Sequence, residues 1–128
     1  MLVKAGALVA YHTDDWITDS RLFLRSAAIG VRGGLDRATA LKSLTINGAM
    51  MLGLADRVGS LTEGKDADFI ILNGDPLSVY TRVLQTWVEG EKVFDYADPA
   101  DRLHAEGGPG AGDNMTPFLC CYDNGGES

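Results

Sequence analysis

The five-residue apolar run ALVAY at 7–11 stops abruptly on His12, Thr13, Asp14 and Asp15. The run is too short for a helix and apolar at every position, the pattern of a strand covered on both faces in a parallel sheet that alternates with helices. Two adjacent carboxylates repel each other and cost desolvation, so they belong where water, a helix start or a cation offsets that cost. A chain organised around this run is expected to be α/β, with a polar junction at the carboxyl end of its first strand.

The next signals are helical. Asp19 is placed to cap a helix reaching Arg32, with Leu22, Phe23, Ala27 and Ile29 on its apolar face and Gly33-Gly34 as a left-handed stop. Asp36 is placed to cap RATALKSL, in which Ala38, Leu41 and Leu44 recur at helical spacing. A further short helix is expected over 47–52, closed by Gly53. Gly59 and Gly64 then mark turns ahead of ADFIIL, a strand ending at Asn73-Gly74. Two β-prone runs at 82–89 and 92–96 flank Gly90 and predict a hairpin.

Composition narrows the class. With 128 residues and 45% hydrophobic content, the sequence makes one domain or part of one. A net charge of -7, with Lys and Arg scattered, argues against a nucleic-acid partner. No apolar stretch approaches the roughly 20 residues that cross a bilayer, and the first ten residues lack a secretory pattern, so a cytoplasmic protein with no membrane partner is expected. Cys120 and Cys121 are adjacent and read as reduced thiols, since bridging neighbours strains disulfide geometry. From 97 to 128 glycine and proline crowd the sequence, which reads as a flexible tail in which only MTPFLCCY at 115–122 offers an apolar anchor.

Several stretches, in order and spacing, resemble the C-terminal end of the amidohydrolase superfamily, metal-dependent hydrolases built on a (β/α)8 barrel beside a small β-sandwich. VAYHTDD resembles the last barrel strand with its terminal acid, and ATALKSLTINGAMMLGL resembles the stretch written T-x-N-P-A-x-x-L-G-L. GSLTEGKDADFIIL with NGDP resembles the return into the sandwich, and WVEGEKV its closing hairpin. Gly48 departs from the pattern, which has proline there. Within the superfamily the sequence looks most like imidazolonepropionase-related and Xaa-Pro dipeptidase-like members. The resemblance implies residues 1–58 as last barrel strand and following helices, and 59–96 as the sandwich portion.

It also implies a chemistry. Active sites of such barrels lie at the C-terminal ends of the strands, where Asp14 falls. In the family the acid at that position contacts the metal, takes a proton from the metal-bound water and returns it to the leaving nitrogen; a metal brings the water's pKa towards about 7, within a carboxylate's reach. Asp14 is thus the catalytic and metal-binding candidate, His12 a second candidate ligand two positions earlier on the same strand face, and Asp15 and Trp16 candidate substrate contacts. The Lys65-Asp66-Ala67-Asp68 run reads as a solvated turn and Trp87 as a packing residue.

The ligand count is short. A catalytic zinc takes about three protein ligands, mostly His, whereas this sequence has His12 and His104 and no HxH pair. The expectation is a C-terminal fragment of a zinc or other divalent-metal amidohydrolase, acting on a small-molecule substrate when its missing N-terminal half, or a second copy, completes the site. The alternative is a non-catalytic oligomerising or partner-binding module derived from the same family.

Overall fold

The computed structural model describes residues 2–14 and 19–107. A 3-10 turn over Leu2–Ala5 leads into a segment without regular structure, and a second 3-10 turn, Ser20–Leu22, runs into helix α1, Phe23–Arg32. Helices α2, Arg37–Leu44, and α3, Ile46–Met51, follow. Then come strands β1, Phe69–Leu72, β2, Val83–Val88, and β3, Glu91–Asp95, and a helix α4, Pro99–Glu106.

Each start and stop has a local cause. Asp19 accepts from the Arg21 backbone N–H at 2.9 Å and so opens the turn preceding α1. Asp36 does the same for α2 through the Thr39 N–H at 2.9 Å. Gly34, not Gly33, takes the positive φ, 92°, after α1, and Gly53, at φ 70°, follows α3. Between α2 and α3 the chain breaks at Thr45, whose φ of -133° and ψ of -101° are not helical.

The three helices pack through small residues. Ala27, Ala40 and Ala49 are the buried hydrophobic side chains among the described residues, joined by buried Ser43 and Asn47. On α2 and α3 these recur as 40, 43 and 47, whereas Ala38, expected on the apolar face with Leu41 and Leu44, is exposed. The buried side of α2 is the side with the smallest residues, because only they let neighbouring backbone approach closely.

The sheet is antiparallel with order β1-β2-β3. Phe69 pairs with Trp87 across β1 and β2, and their rings stack at 5.6 Å with 11° between planes, a contact worth about 0.5–1.5 kcal/mol beyond burial. The β2–β3 turn uses Glu89 at φ 51° and Gly90 at φ 80°, the doubly left-handed pair of a two-residue hairpin. Asp68 fixes that turn by accepting from the Glu89 N–H at 2.8 Å. Asp66 meets Arg57 at 2.6 Å, and Lys65 donates to the Ala55 carbonyl and to Ser60 Oγ. The run expected as a solvated turn is therefore a clasp that ties the loop after α3 to the start of the sheet.

Two expectations are corrected. Residues 7–11, expected as a strand, have no regular secondary structure and join no ladder: the Val9 carbonyl and the Tyr11 N–H pair with Asn47 of α3 and Ser43 of α2, and no described strand lies alongside them. The stretch read as tail from residue 97 opens on a helix, since Asp98 accepts from the Ala100 N–H and Pro99 opens α4, a helix start that the glycine-rich composition beyond it obscured. The remainder of that tail, including Cys120, Cys121 and the 115–122 run, lies outside the described residues.

Two outcomes follow from this construction. At Gly59, φ is 87° and a Cβ would come within 2.8 Å of Ala49 Cβ and 2.9 Å of Ile46 Cα, on α3. Gly59→Ala is expected to destabilise the fold by about 2–4 kcal/mol, combining left-handed strain with overpacking, measured as a shift in the urea midpoint. The hydrogen bond from the Thr39 N–H, then that from its hydroxyl, hold the Asp36 carboxyl below the usual carboxylate range. A depressed folded pKa stabilises the fold above the unfolded carboxylate value, and that contribution disappears as pH falls through the folded value. Asp36→Asn keeps a capping acceptor, so it is expected to preserve neutral-pH stability while flattening the loss of melting temperature on acidification.

Candidate active site

Of the candidate residues, His12 and Asp14 lie on the irregular segment that follows the first 3-10 turn. Its backbone is held at two points. The Tyr11 N–H donates to the Ser43 carbonyl at 2.9 Å, and Asn47 Nδ2 donates to the Val9 carbonyl at 2.8 Å. Helices α2 and α3 thus give residues 9–11 the two bonds that a neighbouring strand would give.

The partners are themselves held. Ser43 Oγ donates back to the Thr39 carbonyl at 2.8 Å, within α2, and lies 3.4 Å from Asn47 Nδ2. Both side chains are buried, Ser43 at 1% and Asn47 at 8% exposure, so loss of either partner leaves a polar group that water does not reach. On the other side, a Cβ at Gly30 of α1 would collide with the Tyr11 hydroxyl and approach Leu35 Cδ2 to 3.3 Å. The segment is wedged between α1 and the α2–α3 pair.

Beyond the wedge the segment reaches solvent. His12 and Asp14 are both exposed. Asp14 has φ 54°, and with Glu89 it is one of the two non-glycine residues with positive φ among those described. Asp tolerates this region better than most side chains. The strand alternation that was expected to set His12 and Asp14 on one face therefore does not run through Asp14. Asp15 and Trp16 lie outside the described residues. Asp19, the next acid described, is engaged by Arg21, whose guanidinium and backbone hydrogen bonds hold its carboxyl below the usual range.

Among the described residues no three His, Cys, Asp or Glu side chains come together as a metal site. The clustered acids elsewhere are committed. Asp95, Asp98 and Asp101 line a cleft of about 270 Å³ between β3 and α4. There Asp95 pairs with Lys92, Asp98 caps α4 and Asp101 accepts from the Asp95 N–H at 2.8 Å. The described residues thus do not fit a complete divalent-metal centre; Asp14 and His12 offer at most two donors. What sequence reasoning passed over is Asn47 with Ser43. The face read as apolar, Ala38, Leu41 and Leu44, lies elsewhere, and the partner of Asn47 is 38 positions earlier, so no local spacing announced them.

Comparison with known proteins agrees with this architecture. The model of the Amidohydrolase family matches residues 1–96. An imidazolonepropionase from Deinococcus radiodurans is 43% identical over 76 residues, 57% of this chain and 19% of that protein. Amidohydrolase tasK from Hapsidospora irregularis is 32% identical over 105 residues, 82% of this chain and 11% of that protein. The crystal structure of an amidohydrolase from Thermotoga maritima superposes with a TM-score of 0.71 at 36% identity, covering 73% of this chain and 24% of that one. The chain thus spans between 11% and 24% of the length of these three relatives. It belongs to the amidohydrolase family, with imidazolonepropionases among its relatives.

Proposed function

We propose that this chain is the C-terminal portion of an amidohydrolase that hydrolyses a carbon-nitrogen bond in a small amide, lactam or dipeptide, and that Asp14 is its proton-handling acid. In this reading residues 7–14 occupy the place of the last barrel strand, α1 to α3 the helices after it, and β1 to β3 part of the small sandwich. The observation that carries it is the family match through residue 96 combined with the position of Asp14, an exposed acid on a segment tied to helices at Val9 and Tyr11. A divalent metal such as zinc, when bound, supplies an acidified water. The part of this chain is narrower. Asp14 Oδ accepts one proton from the attacking water and delivers it to the departing nitrogen. His12 stands by as a second donor atom, and Asp15 and Trp16 as substrate contacts.

The remaining ligands come, in this reading, from an N-terminal half or from a second copy. The thin core supports that need. Ile70 and Ile71, adjacent on β1 and so on opposite faces, are 43% and 41% exposed, as expected for a sheet that further structure covers on both sides.

The test is a hybrid in which residues 1–96 replace the equivalent segment of the Thermotoga maritima amidohydrolase. Asp14→Asn is the variant of choice, because Asn also tolerates the positive φ found there. The expected outcome is a hybrid that hydrolyses the parent enzyme's substrate and loses about 10²–10⁴-fold in kcat on Asp14→Asn. An Asp14→Asn hybrid as active as its parent contradicts the assignment.

A further inference from the structure

The Asn47 side chain is almost fully buried at 8% exposure, yet it spends its amide on a segment 38 residues earlier, at the Val9 carbonyl. A residue wanted only for helix packing at this place has cheaper choices, since Ala40 and Ala49 fill neighbouring positions without a polar group to satisfy. The bond also lies where it controls direction. Val9 and Tyr11 are tied on one edge, by Asn47 and by the Ser43 carbonyl, and Asp14 follows three residues after the second tie. Between the ties Ala10 approaches α3 at Gly48, where a Cβ would stand 3.9 Å from the Ala10 Cβ, an ordinary contact. The wedge at Gly30 and Tyr11 blocks the other side.

We propose that Asn47 is a positioning residue for Asp14: its amide, aligned by Ser43, holds the Val9 carbonyl and thereby sets where the acid at the end of the segment stands. The proposal rests on the reading of Asp14 as the proton-handling acid. The Ser43 carbonyl alone leaves the segment one tie, about which it can pivot; the Asn47 amide makes the second and removes that freedom. No proton moves through Asn47, and it touches no reacting atom. Its part is to keep a carboxylate, borne on a segment without a strand ladder, from wandering relative to the helices.

The experiment begins with the full chain and two variants. Asn47→Ala removes the donor and the packing, while Asn47→Leu keeps the branched four-atom side-chain skeleton and removes the amide, so a fold lost in the first is still tested in the second. Amide exchange and the Hα coupling of Asp14 are followed by NMR, with the amides of α1 to α3 as the internal reference. The expected result is exchange faster by about 10-fold or more at Tyr11, one hydrogen bond's worth. A shift of the Asp14 coupling away from its left-handed value accompanies it, with the helix amides unchanged. In the hybrid enzyme Asn47→Leu then lowers kcat while KM and metal content stay at the parent level. Unchanged exchange and coupling in Asn47→Leu overturn the proposal. So does a loosened segment with undiminished kcat, which shows an anchor without a catalytic consequence. Should Asp14→Asn leave the hybrid fully active, the parent reading fails, whereas the NMR outcome still reports on the anchor by itself.

Discussion

A backbone carbonyl in search of a donor organises this molecule. Residues 7–11 are apolar and belong to no helix or ladder, and such a segment laid against helices faces them with N–H and C=O groups that must be paired or left wet. The amide of Asn47 answers one of these groups and the carbonyl of Ser43 another. That requirement explains why buried polar side chains sit in a helix pair otherwise packed by alanine, and why α2 buries positions 40 and 43 and α3 position 47 while the leucines of α2 stay half-covered.

The same economy of small residues leaves large apolar side chains outward. Ile29, Met50, Met51, Leu52 and Leu54 of the helical part are exposed, as are Ile70, Ile71, Val88 and Val93 of the sheet. A fold that buries three alanines and exposes this many larger groups gains little from its own core relative to the entropy of ordering the chain. The relatives place the observation in proportion: the superposed amidohydrolase from Thermotoga maritima is about four times longer than the part this chain matches.

Much of the architecture was legible where the cause is local. Asp36 followed by an apolar-periodic run is a cap and a helix, and it is found as one. Glycines at 53, 59, 64 and 90 mark turns because each has a positive φ that other residues avoid. The hairpin expected around Gly90 is found as β2 paired with β3, whereas the pairing of Trp87 with Phe69 of β1 was not read from the pattern. What failed was non-local. A fully apolar run reads the same whether it lies in a ladder or against helices, so residues 7–11 were expected as a strand. Asn47 was quoted within a family motif, yet its role depends on a partner 38 positions away that no spacing rule reaches. The left-handed turn at Asp14 was not legible, because Asp enters that region without glycine to announce it.

The account stands on the claim that residues 9–11 are held to the helices by paired backbone groups. Native-state hydrogen exchange of the unsubstituted chain reads this directly at a single amide, that of Tyr11. The account predicts that this N–H, bonded to the Ser43 carbonyl at 2.9 Å, exchanges more slowly than the His12 amide and on the time scale of the α2 amides. A Tyr11 amide exchanging at the rate of an unstructured peptide contradicts it.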